Sequence, residues 1–117
     1  MNRKCTLLLL ACLTLGAAQA RDLELIEGAY EAMLTDVTFP LTTTGTVSVR
    51  MCATCDSEVL PVNPNTAYVG VQGPVALEQF QAEVAALRSG PTSQTSMVGV
   101  FYNLQTNQVT RISLHPQ

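Results

Sequence analysis

Thr46-Val47-Ser48-Val49-Arg50-Met51-Cys52-Ala53-Thr54-Cys55-Asp56-Ser57-Glu58-Val59-Leu60-Pro61-Val62 is the stretch whose reading decides the fold. Val47, Val49 and Met51 alternate with Thr46, Ser48 and Arg50, so an extended chain puts apolar side chains on one face and polar ones on the other. Val59, Leu60 and Val62 form a second apolar run that stops at Asn63-Pro64-Asn65. Pro61 lacks an amide hydrogen for a ladder and confines that second strand to a sheet edge. Cys52-Ala53-Thr54-Cys55 lies between the two runs. Strand, cysteine knuckle and strand together predict a β-hairpin with the cysteines at or near its tip.

Upstream of the hairpin, Thr42-Thr43-Thr44-Gly45 is a turn signal. Val37 and Phe39 alternate with Asp36 and Thr38 and stop at Pro40, which predicts a short strand with one buried face. Residues 31–36 fit helix and strand equally, and residues 22–30 carry no assignment. Downstream, residues 66–71 supply another short strand. One amphipathic helix is predicted near 76–88, where Leu77, Phe80, Val84 and Leu87 make an apolar stripe. Glu78 and Arg88 suit its two ends, and Ser89-Gly90-Pro91 stops it. Met97-Val98-Gly99-Val100-Phe101-Tyr102 is apolar on both faces, as a central strand requires. A turn-rich connector then leads to a last strand with Ile112 and Leu114 on one face, giving a second hairpin. The inventory of five to six strands and one helix predicts an α+β, mainly β domain: a small antiparallel sheet or a partly open barrel covered by the helix.

Four segments also carry a family resemblance: Gly45-Thr46-Val47, Asn65-Thr66-Ala67-Tyr68, Val75-Ala76-Leu77 and Val109-Thr110-Arg111-Ile112. In this order they resemble small β-barrel domains of unknown function in exported bacterial proteins. The resemblance implies a fold and no activity.

The beginning of the chain reads as a secretory signal over residues 1–20. Arg3 and Lys4 precede an uncharged run from Cys5 to Ala20, and Ala18-Gln19-Ala20 matches the small-x-small cleavage pattern. The run is shorter and more interrupted than the roughly 20 apolar residues a membrane span needs. A lipobox-like Leu9-Leu10-Ala11-Cys12 is the second reading, with Cys12 as the lipidated residue. Processing at Ala20 leaves a segment at 21–44 with one short strand and a β-rich core at 45–117, placed in the periplasm or outside the cell. Four arginines (Arg21, Arg50, Arg88, Arg111) then stand against nine acids, a formal net charge of −5 with no lysine. Such a balance argues against a nucleic-acid partner, whose phosphates demand basic clusters. Lysine chemistry is excluded as well.

Loss of Cys5 and Cys12 with the signal leaves one cysteine pair, Cys52 and Cys55, and an even count in an exported chain favours a disulfide. The alternative is a zinc or copper site using both thiolates with His115. Structural zinc needs four ligands and only two cysteines are present. Copper(I) accepts two soft thiolates, and Met51 is adjacent. Thiol-disulfide exchange comes third, because redox enzymes place this motif at a helix N-terminus, whereas here Asp56 and Glu58 follow it and oppose thiolate formation. Haem attachment fails because Asp56 stands where a histidine is required.

No nucleophile elbow or phosphate loop occurs in the chain. His115 is read as a solvent-exposed residue near a terminus. Asp56 and Glu58 are read as a solvated rim, and Tyr30, Tyr68, Tyr102, Phe39, Phe80 and Phe101 as packing residues. The expectation is a small exported, non-enzymatic domain without a cofactor, acting as a protein-interaction or structural module.

Overall fold

A computed structural model describes residues 26–117. The segment 1–20 read as a secretory signal, with Cys5 and Cys12, and Arg21 lie outside the described residues. The described residues build two sheets and one helix. Strand β1 (Glu27–Met33) is followed by a single 3-10 turn over Leu34–Asp36 and by β2 (Val37–Thr38). β3 (Thr46–Val49) and β4 (Glu58–Pro61) come next, then β5 (Ala67–Gly70) and β6 (Gly73–Val75). Helix α1 (Leu77–Arg88) leads to β7 (Met97–Asn103) and β8 (Val109–His115). The fold is α+β and mainly β, with no closed barrel among the described residues.

The larger sheet has the order β1-β7-β8-β5-β6, and the smaller has β2-β3-β4. The expected edge position of the Pro61 strand is observed, since β4 borders the smaller sheet and Pro61 closes it. The apolar 97–102 run is interior, flanked by β1 and β8. Two features depart from a purely antiparallel sheet of five or six strands. β5 runs parallel to β8, Tyr68 lying opposite Ile112, so the larger sheet is mixed. β6 is also an additional strand: Gly73, at φ +139°, takes a backbone conformation closed to residues with a Cβ, and turns the chain back onto β5. Pro74 is tolerated there because β6 is an edge.

Residues 31–36 divide between both expected states, strand to Met33 and 3-10 turn afterwards. The unassigned 22–30 stretch supplies the start of β1. Its alternation is readable only with the partner in view: Gly28, Tyr30 and Ala32 face the core, opposite Tyr102, Val100 and Val98.

A single buried cluster draws on every layer. It joins Ala32, Val98, Val100, Ile112 and Leu114 of the larger sheet to Val37, Val47, Val49 and Leu60 of the smaller one, with Phe80 and Val84 from α1. Phe80 is fully buried and meets Tyr68 at 5.2 Å and Phe39, edge to face, at 5.4 Å between ring centroids. Such pairs contribute about 0.5–1.5 kcal/mol each beyond their area. The helix therefore fastens β5 on one side and the 37–41 segment on the other.

Candidate functional site

The hairpin that carries Cys52 and Cys55 forms as its alternation requires. Val47 lies opposite Leu60 and Val49 opposite Glu58, with Val47, Val49 and Leu60 buried. The strand ends at Val49, two residues before the expected Met51, and Met51 is exposed on the loop. Arg50 keeps one further bond to the neighbouring segment. Its amide donates to the Asp36 carbonyl at 3.0 Å, in register with the Val37–Val49 pair, and its guanidinium sits 3.7 Å from the Asp36 carboxylate. The ion pair itself is partly exposed and contributes about 0–1 kcal/mol.

At the tip, the Cys55 amide donates to the Cys52 carbonyl at 3.2 Å, closing a four-residue turn. The two Cα atoms are 5.0 Å apart, within the span of a disulfide, and the sulfurs are bonded. Thr54 Oγ1 lies 3.7 Å from Cys52 Sγ. All of this is solvent-exposed. The element after the cysteines is β4 and not a helix, so no helix dipole is aimed at either sulfur.

His115 ends β8 in the other sheet. Among the described residues no three His, Cys, Asp or Glu side chains stand close enough to hold a metal ion, so Cys52, Cys55 and His115 are not brought together as a ligand set. Asp56 and Glu58 lie exposed on the hairpin.

Two arrangements escaped the reading of the sequence. The first is a cleft of about 290 Å³ between α1 and the 38–41 segment, lined mainly by Phe39, Pro40, Leu41, Val84 and Arg88. Gln81 Nε2 donates to the Pro40 and Leu41 carbonyls at 3.1 and 3.3 Å, and Arg88 Nη2 donates to the Val37 carbonyl at 2.8 Å. Arg88 also lies over the Phe39 ring at 5.4 Å. Its position at the end of the helix suits the macrodipole, but its hydrogen bond is spent on a strand. Leu41, at the lip, is 88 % exposed.

The second is a stacked tyrosine pair, Tyr30 on Tyr102, with centroids 5.1 Å apart. Hydrogen bonding with Tyr102 is the chief reason the Tyr30 phenol is pushed above its usual range, followed by loss of hydration and by the charges of Tyr102 and Glu58. The signal for this pair is the registration of Gly28 with Tyr102, which no local pattern reveals.

Comparison with protein-family models, curated proteins and solved structures returns no match. No helix among the described residues is long and apolar enough to cross a membrane.

Proposed function

We propose that this chain is a small exported, non-enzymatic domain that works as a protein-interaction or structural module, with Cys52–Cys55 as a fastening of its hairpin. The observation that carries the reading is the setting of the disulfide: an exposed turn between two strands, with no helix N-terminus beside it. A thiol in that setting lacks the electrostatic help that makes an attacking thiolate. The basic start, apolar run and Ala18-Gln19-Ala20 pattern support export to an oxidising compartment, where such a bond persists. Leu41 at the lip of an apolar cleft supports work done by contact instead of by bond-making.

The intact mass of protein recovered from the exported fraction tests this, measured with and without reductant and alkylating agent. The expected species begins at Arg21, weighs two hydrogens less than its reduced form and takes no label before reduction. A reduction potential below about −300 mV is expected of a structural bond. Free thiols on isolation, or a potential within the range of thiol oxidoreductases, overturn the fastening role.

A further inference from the structure

The larger sheet sends one row of side chains away from the core. Ala32, Val98 and Leu114 stand opposite one another on β1, β7 and β8, and all three are buried. Successive residues of a strand point to opposite faces. The next row, Met33, Met97 and His115, therefore points to the other face, where Ala29, Glu31, Ala67 and Arg111 are exposed. Directly opposed residues have Cβ atoms about 4.5–5.5 Å apart. Met97 stands in the middle, with a methionine on one side and a histidine on the other.

The histidine leans inward along this face. A Cβ placed on Gly99 would lie 3.7 Å from His115 Nε2, so the imidazole reaches across β7 above a position without a side chain. Gly99 stands opposite Glu31 on β1 and two residues from Met97 on its own strand. The His115 imidazole nitrogen thus lies over Gly99, with Met97 and Met33 in the adjoining row of the same face and Glu31 at the register position opposite Gly99 on the neighbouring strand. The Phe101 ring comes within 3.0 Å of the same Cβ position, and Arg111 is held over that ring at 4.1 Å.

We propose that Met33, Met97 and His115 form a copper(I) site on the open face of the larger sheet, with Glu31 beside it to balance charge. Ligand softness selects the ion. Thioethers are neutral, polarizable donors that suit copper(I), whereas zinc, magnesium and calcium favour thiolate, imidazole or oxygen donors. Imidazole suits copper as well, and three donors on three adjacent strands of one sheet are held by backbone pairing. The site uses neither cysteine, so it is compatible with a Cys52–Cys55 disulfide and independent of the role proposed for it. It also gives His115 partners that its place near the end of the sequence does not suggest.

The test is a titration of the disulfide-intact protein with copper(I) under anaerobic conditions, in competition with a chromogenic copper(I) chelator and with ascorbate present, which leaves disulfides intact. One ion per chain is expected, with shifts of the Met33 and Met97 methyl and His115 ring NMR signals and none of Met51. Met33→Leu, Met97→Leu and His115→Gln should each weaken binding about tenfold or more, as outer partners of a metal site already cost 10–100-fold. The Cys52→Ser/Cys55→Ser double variant and Met51→Leu should bind as the parent does. Absence of copper(I) binding overturns the proposal. So does binding lost with the cysteines or Met51 and not with the Met33–Met97–His115 row, and so does equal affinity for zinc. If one variant fails to fold, the NMR shifts of the parent protein decide alone.

Discussion

Tyr102 stacks on Tyr30 at 12° between ring planes because Gly28, opposite Tyr102 in the ladder, leaves room for its ring. A Cβ on Gly28 would lie 2.7 Å from Tyr102 Cζ. Gly28→Ala should therefore push the ring out of the stack. The rigidity gained from alanine, about 0.4–1 kcal/mol, is set against an overpacking cost of about 1–3 kcal/mol. A net loss of about 1 kcal/mol is expected in chemical denaturation. The Tyr30 phenol, relieved of its partner, should titrate closer to its ordinary range in an absorbance titration at alkaline pH.

Tyr68 gives the molecule an alkaline limit. Its hydroxyl is buried without a hydrogen-bond partner among the described residues, and burial raises its pKa. The folded state thus holds its proton to higher pH than the unfolded state does. Its stabilising effect is complete below the unfolded tyrosine value of about 10 and is lost as pH rises through the folded value. Unfolding midpoints should fall above about pH 10, and the fall should be smaller in Tyr68→Phe. The same variant should be as stable as the parent at neutral pH or more so, by up to about 1 kcal/mol, since it removes a buried, unpaired hydroxyl.

Gly70 is where α1 meets β5. The Glu83 carboxylate occupies the space a Cβ on Gly70 would take, while Glu83 Oε1 accepts a hydrogen bond from the Val71 amide at 3.2 Å. Gly70→Ala should displace the Glu83 carboxylate, break that exposed bond and cost about 0.5–1.5 kcal/mol. Adding Glu83→Ala should recover part of the loss. A double-mutant cycle in urea checks the coupling, and additive effects would refute the contact.

Reduction of the Cys52–Cys55 bond should leave the fold in place. The closed loop is short, so the chain-entropy effect is about 2 kcal/mol, at the low end for disulfides. Circular dichroism should be unchanged on reduction while the urea midpoint falls. Unfolding on reduction would assign the bond a larger share of the stability than its position at an exposed tip allows.

How much of this was legible in the residues depended on range. Val47, Val49 and Leu60 declare their hairpin by period-two alternation, Pro61 declares its edge, and Phe80 and Val84 declare the buried stripe of the helix; each is a local signal. β1 was hidden because its core-facing residues are Gly28, Tyr30 and Ala32, two of them too small to register as apolar, and their burial comes from Val98, Val100 and Tyr102 far along the chain. The parallel pairing of β5 with β8 is equally non-local. The disulfide followed from counting cysteines. Nothing local placed His115 beside Met97 and Met33, because only the register of three strands does so.

The first described strand pairs with nearly the last: Tyr30 lies opposite Val100, and β7 is held on its other side by β8. A chain emerging from its N-terminus can form the β3–β4 hairpin early, but β1 has no partner until β7 has been delivered. Loop closure over so many residues is slow, and the wait leaves β1 with unpaired amides and carbonyls. The larger sheet is consequently assembled only once β7 and β8 have both been delivered. β8 is the strand that joins the β1–β7 pair to the β5–β6 pair, so a truncation before Val109 should leave the larger sheet split into two unconnected ribbons.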